Sequence, residues 1–247
     1  MKVLLLTNEY PPYTYGGAGV HVEYLSRELA NLMRVEVRCF GDQRFEEGSL
    51  KVRGIPLTAK EVGAPKPLHS VFGAVQRDSD MCALGMDADL VHCHTWYTHW
   101  AGILAKLTFG LPLIITTHSL EPLRPWKREQ LAGGYDFSLW VEKTALEMAD
   151  AIIAVSQGAK EDVLEHFEVP EERVHVIHNG IDLQEFHRVT THGVLSRYGI
   201  PIDIGPYVLF VGRMTRQKGI QYLLQALDHL DLDIPVVLCA GAPDTPA

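Results

Sequence analysis

The chain has 247 residues, 47% of them apolar and 21% charged, and a net charge of -9 at pH 7. This is the composition of a globular protein with enough apolar side chains for a core, and the acidic balance without a basic stripe excludes nucleic acid as a main partner. No apolar run reaches the length of a membrane span, and the cysteines at 39, 82, 93 and 239 lack paired spacing, so they read as reduced core residues in a cytoplasmic protein.

Val3 to Thr7 is apolar almost throughout, as a parallel strand buried on both faces should be. The run is too short for a signal peptide and no small-residue cleavage site follows. Asn8 to Gly19 is rich in proline and glycine and reads as a loop. A helix is expected near Val20 to Met33, its stripe being Val22, Leu25, Leu29 and Leu32. Gly16 and Gly17 thus precede a helix N-terminus, where bare backbone N–H groups and the helix dipole favour an anion. The loop is neither a Walker loop nor the dinucleotide fingerprint, whose spacings are absent.

Strands are expected at Val35 to Phe40, near Val52 to Ile55, Asp89 to His94, Leu113 to Thr116, Ala151 to Val155, Val174 to Ile177, Tyr207 to Val211 and Val236 to Ala240. Helices are expected over 68–86, with Val71, Phe72 and Val75 apolar, over 97–108 with Gly110 ending it, over 136–149, from Ser156 as cap to Phe167, and from Ile220 to Leu230. The stretch 119–135 reads as one long loop, functional or mobile. Alternating strands and helices mean a parallel sheet covered on both faces.

Four places could carry chemistry. His118 sits just past a strand end, where open α/β sheets bind ligands. His92 and His94 share a side of a strand, with Cys93 between them and His99 beyond. A metal reading lacks a second ligand pair with zinc spacing, so no metal is expected. Trp96, Tyr97 and Trp100 suit packing or a wall for a sugar ring. Arg213 and Lys218 lie on a strand-to-helix loop and suit a diphosphate, the guanidinium clamping oxygens and the ammonium adding a point charge.

The run Gly212-Arg213 to Lys218-Gly219 resembles the G-R-x-x-x-x-K-G signature of retaining glycosyltransferases with the two-domain GT-B fold, a family that includes bacterial glycogen synthases. Glu9 to Gly19, His92 to Trp96, Thr116 to Ser119, and Ala154-Val-Ser through Asn179-Gly-Ile-Asp follow that family's order and spacing. Thr117 to Lys127 looks like the ADP-glucose-using, α-glucan-building branch.

The resemblance implies an α/β fold of GT-B type. Residues 1–190 would form a Rossmann-like acceptor-side domain with a doubly wound parallel sheet, 191–206 a linker, and 207–247 the start of a second Rossmann-like, nucleotide-sugar-binding domain. It implies hexosyl transfer from ADP-glucose to an α-1,4-glucan, as in glycogen biosynthesis, or to glucose-1-phosphate, with no metal or other cofactor. His118, Arg213 and Lys218 would be catalytic, and Glu9, Gly16, Gly17, His94, Thr95, Arg213 and Lys218 would bind substrate.

Two departures stand out. Thr95 replaces the aspartate of the family's His-x-His-Asp-Trp, so no acid role carries over there. The E-x-x-G-x-x-x-x-E stretch that grips the donor sugar is missing, so the chain is expected to be a piece of a longer one, inactive by itself. Alternatives are a non-catalytic glucan- or nucleotide-binding domain, a relative using a UDP- or GDP-sugar and another acceptor, and, more weakly, a sugar-nucleotide epimerase. A homo-oligomer is compatible with the sequence.

Overall fold

A computed structural model describes residues 1–58, 63–189, 193–201, 205–214, 218–229 and 234–241. The chain divides into two compact units, Met1–Gly180 and Ile181–Ala247.

The first unit is built on strands β1 (Lys2–Thr7), β2 (Arg34–Phe40), β3 (Arg44–Glu47), β4 (Leu50–Ile55), β5 (Leu90–His94), β6 (Leu113–Thr117), β7 (Ala151–Ala154) and β8 (Val174–Val176). Its helices are α1 (Gly17–Ala30), α2 (His69–Ala83), α3 (His99–Phe109), α4 (Lys127–Leu131), α5 (Gly134–Met148) and α6 (Gln157–His166). The eight strands form one sheet in the order β3-β4-β2-β1-β5-β6-β7-β8. Every pairing is parallel except β3 with β4. This is the expected doubly wound, Rossmann-like sheet with an antiparallel edge strand added.

The period of two explains why β1 is apolar on both faces. Leu4 and Leu6 enter a core shared with residues of α2, α3 and α5, while Val3 and Leu5 enter a second core with Val22 of α1. Each of these leucines is fully buried, worth roughly 1.5–3 kcal/mol apiece as an upper figure. The cover over β5 and β6 depends on Gly102 in the middle of α3. A Cβ there would stand 2.6 Å from Cys93 Sγ and 2.9 Å from a Leu113 methyl, so only glycine lets this helix lie so close. Gly110 ends α3 in the left-handed conformation, φ 68°, as expected. The Ser156 hydroxyl caps α6, accepting the Ala159 N–H at 3.1 Å.

Several details differ from expectation. Helix α1 starts at Gly17 and buries Gly19, Val22 and Ser26, while Leu32 is exposed beyond its end. The Tyr10 hydroxyl and Ser26 Oγ pair at 2.9 Å inside the core, which lets a serine occupy the buried stripe. In α2 the buried stripe is Val71, Ala74, Asp78, Met81 and Cys82, and Phe72 is exposed. Asp78 sits there because its carboxylate accepts the Ala101 N–H at 3.1 Å, clamping the start of α3 to α2. Cys39, Cys82 and Cys93 are free and buried, but Cys239 is exposed.

The second unit contains α7 (Gly193–Arg197), β9 (Val208–Val211), α8 (Ile220–Leu227) and β10 (Val236–Cys239), with β9 and β10 parallel. A βα unit thus recurs here. Residues 191–192 and 202–204 of the expected linker, 215–217 of the Arg213–Lys218 loop, Leu230 of the last expected helix, and 242–247 lie outside the described residues.

Candidate active site

The sheet reverses its winding at β1, which has β2 on one side and β5 on the other. The crevice outside the carboxyl ends of such strands is the ligand position of open α/β sheets. His94 ends β5, the loop from Asn8 to Gly16 leaves β1, and His118 follows β6 directly.

Three histidines from three elements meet there. His94 Nδ1 lies 3.1 Å from His118 Nε2, and the two rings stack at 5.4 Å. His21, from the second turn of α1, meets His118 edge-on with ring centroids 4.8 Å apart. His94 is wholly buried and its Nε2 has no partner among the described residues. Behind it, His92 Nε2 sits 2.7 Å from Thr116 Oγ1.

Burial keeps these rings neutral. It pushes His118 down to about 4, with the neighbouring His21 adding to the effect. It lowers His92 to about 3 and His94 well below the usual range, each reinforced by its histidine neighbours. His21 is lowered by burial too, although a hydrogen bond with Asn179 opposes the shift. At neutral pH His118 is therefore a neutral imidazole whose tautomer is coupled to His94. It can donate or accept one hydrogen bond, not act as a cation.

Among the described residues, the metal-capable grouping is His21, His94 and His118, with ligand atoms within 4.8 Å of one another. The cluster weighed and set aside in the sequence, His92, His94 and His99 with Cys93, shares only His94 with it. His99 is buried, its two ring nitrogens without a partner among the described residues, and Cys93 is an inert buried thiol whose Sγ donates to Thr98 O at 3.5 Å. Trp96 is core, stacked on Tyr97 at 4.1 Å.

The glycine loop is held by Glu9. Its Oε2 accepts the N–H of Tyr15 at 2.9 Å and of Gly16 at 2.7 Å. Gly16 is the N-cap of α1 with extended backbone and no side-chain cap. A Cβ on Gly17 would meet nothing, and on Gly16 only Glu9 Oε2 at 3.9 Å. Neither space nor a left-handed φ requires glycine at these two positions, and the missing side chains leave the backbone there open to close approach. Gly19 differs, because a Cβ there would come within 2.8 Å of Glu9 Cβ and 2.9 Å of Thr14 Cγ2.

Two substitutions separate these roles. Gly17→Ala is expected to keep or raise the melting temperature, since alanine in a first helical turn gains up to about 1 kcal/mol. Gly19→Ala is expected to lower the melting temperature by displacing Glu9. Calorimetric melts of the two variants check the contrast, and a destabilised Gly17→Ala would remove the argument for a ligand at that backbone.

Thr95 carries φ 69° and ψ 153°, a conformation costly for a β-branched residue. Its hydroxyl donates to Asn8 Oδ1 at 2.8 Å, tying the ends of β1 and β5 together. The strained backbone is thus held by a specific hydrogen bond at a strand end. Asn8 and His21 escaped the sequence reading, because their partners are far away in the chain.

The stretch after His118 is not one long loop. It contains a helical turn at Glu121–Leu123 and then α4. Glu121 is 1% exposed and bonds Lys127 Nζ at 2.7 Å and Ser138 Oγ at 3.0 Å. Its N–H donates to Glu142 Oε2 at 2.7 Å, and the Tyr135 hydroxyl donates to its carbonyl at 2.7 Å. The buried network fixes the backbone that follows His118. Burial pushes the Glu142 carboxyl up to about 8, against the pull of the Glu121 N–H. A carboxyl with a raised folded pKa holds its proton longer in the native state, so this contribution is full below about pH 4.5 and declines up to about pH 8. Glu142→Gln keeps an acceptor for the Glu121 N–H and removes the titration. Its melting temperature should fall less than the wild type's between pH 6 and pH 9, and parallel curves would refute the assignment.

In the second unit Arg213 is half-buried just after β9, and Lys218 is exposed just before α8. Gly219 caps α8 in the left-handed conformation, φ 68°.

The chain matches the family model "Glycosyltransferase Family 4" over residues 15–185. It is 46% identical over 250 aligned residues to the alpha-maltose-1-phosphate synthase of Mycolicibacterium smegmatis and 44% identical to that of Mycobacterium tuberculosis H37Rv. In both alignments all of this chain is covered, and it spans 62% of the relative's length. Among solved structures, sucrose-phosphate synthase from Thermosynechococcus elongatus matches with TM-score 0.76 at 21% identity, covering 100% of this chain and 64% of that one. Anabaena HepE in complex with UDP-glucose matches with TM-score 0.72 at 19% identity, covering 96% and 60%. At such identities these two speak for the fold, which is that of the GT-B enzymes. Among the described residues no helix is long and apolar enough to cross a membrane. On the family match over most of its length, the chain belongs to glycosyltransferase family 4.

Proposed function

We propose that the whole protein transfers glucose, with retention of the α configuration, from ADP-glucose to glucose-1-phosphate. An α-1,4-glucan is the second candidate acceptor. The observation that carries this reading is the pairing of a neutral, His94-held His118 with the bare N-terminus of α1, brought beside it by His21. The 46% identity to an alpha-maltose-1-phosphate synthase favours the phosphorylated acceptor.

In this reading 1–190 is the acceptor-side domain, 191–206 the linker and 207–247 the beginning of the donor-side domain. The α1 N-terminus at Gly16 and Gly17 receives the donor diphosphate. Gly16 already gives its N–H to Glu9, so Glu9 acts by shaping the loop. His118 bonds a hydroxyl of the transferred glucose. Thr95, through Asn8, fixes the wall between β1 and β5. As the bond from the anomeric carbon to the phosphate oxygen breaks, Arg213 and Lys218 neutralise the departing diphosphate by preorganised charge. The acceptor hydroxyl attacks on the same face and its proton passes to the leaving phosphate oxygen. No metal takes part, and chelation should leave turnover unchanged.

The test is nucleotide release by the full-length gene product offered ADP-, UDP- or GDP-glucose, with glucose-1-phosphate or glycogen as acceptor. ADP release driven by glucose-1-phosphate is the expected result. Glucan-driven release would move the reading to the second acceptor, and no release with any donor would refute transfer.

A further inference from the structure

A second concave site lies at the carboxyl ends of β1, β2 and β4. Its volume is about 390 Å³, and its lining includes Asn8, Tyr13, Phe40, Asp42, Leu57 and Arg77. That is the low end of small-ligand sites, which run from roughly 300 to 1,000 Å³. The hollow is open to solvent, so its lining rather than its size decides what it takes.

The lining has mixed chemistry. Tyr13 and Phe40 offer aromatic surface. Asn8 supplies an amide, and Asp42 a carboxylate whose Oδ1 accepts the Tyr13 hydroxyl at 2.8 Å. Amides, carboxylates and aromatic rings are groups that hold sugar hydroxyls and sugar faces. Arg77 is the exception. Its guanidinium carbon stands 4.6 Å over the Phe40 ring, and its Nε is buried without a hydrogen-bond partner among the described residues. A buried guanidinium donor left unpartnered is unfavourable unless something fills it. Phosphate oxygens match the guanidinium fork, and the cation stays charged despite its burial.

The cavity is joined to the transfer site by one residue. Asn8 lines the cavity and also accepts the Thr95 hydroxyl at 2.8 Å, and Thr95 follows His94 directly. A molecule in the cavity would therefore lie alongside the strand ends that carry His94.

We propose that this cavity is the acceptor subsite and that Arg77 binds the phosphate of a sugar-phosphate acceptor there. The inference rests on the transferase reading for the word acceptor, but the binding claim stands on its own. Arg77 then sets specificity. A phosphorylated hexose offers the guanidinium an anionic partner, whereas a free hexose or a glucan end offers neutral hydroxyls alone.

Calorimetric titration of the protein with α-D-glucose 1-phosphate, glucose and inorganic phosphate tests this. The wild type should bind glucose 1-phosphate about tenfold or more tightly than glucose, as a charge-assisted contact provides. Inorganic phosphate should compete. Arg77→Met keeps an unbranched stem against Phe40 and removes the charge, so it should erase the preference at a wild-type melting temperature. Arg77→Lys should keep part of it. Equal affinity of the wild type for the two sugars, absence of glucose 1-phosphate binding, or an undiminished preference in Arg77→Met would each overturn the proposal. An enzyme that releases no nucleotide yet shows Arg77-dependent binding would sink the transferase reading and leave the subsite standing.

Discussion

Alanine at Arg213 or at Lys218 in the full-length enzyme is expected to lower kcat/KM by about 30- to 1,000-fold, the equivalent of roughly 2–4 kcal/mol of transition-state stabilisation. Negative charge grows on the departing diphosphate as the bond breaks, and a fixed cation helps most where charge grows during the reaction. The loss should fall mainly on kcat. Arg213 follows β9 and Lys218 precedes α8. The melting temperature should move little for the exposed Lys218, since exposed charges contribute weakly to stability, and somewhat more for the half-buried Arg213. Arg213→Lys should recover only part of the loss, because a point charge lacks the bidentate fork. Turnover like the wild type's in both alanine variants would remove these residues from the reaction.

His118→Ala should have the second large effect, a loss of at least about 100-fold in kcat. It also leaves the buried His94 Nδ1 without its partner, so a stability cost of about 1–3 kcal/mol should accompany it. The two effects separate by a pH profile. Because burial holds His118 at about 4, its neutral form prevails across the working range. The wild-type rate should then show no acid limb near the ordinary histidine value. A limb near pH 6.5 that disappears in His118→Ala would mean that the ring works as a titrating base, contrary to the geometry. A purely structural role would lower the melting temperature while the folded fraction kept its turnover.

The parallel strands were readable from the chain because burial on both faces makes them continuous apolar runs. Strand β3 was not, since Arg44–Glu47 is exposed along its length and pairs only at the sheet edge. Helix α1 begins three residues before its expected start because the glycines that signal a turn also open the helix. His118 was legible from its place after a strand. Its surroundings were not, because His21 and His94 reach it only through the fold. The stretch after His118 reads as one loop in the sequence for a similar reason. Pro122 and Pro125 hide its short helices, and the carboxylate that orders it, Glu142, lies 21 residues beyond Glu121. Gly16 and Gly17 were read as anion-approach glycines, and the structure adds that nothing local demands glycine at either place.

The most direct test of the account is the NMR analysis of the product formed by the full-length enzyme from ADP-glucose and glucose 1-phosphate, beside its His118→Ala variant. An α-linked disaccharide phosphate appearing together with ADP, and failing to accumulate in the variant, is the predicted result. A β-linked product, or unchanged product formation without His118, would contradict the claim that the carboxyl ends of β1, β5 and β6 form a retaining glucosyl-transfer site.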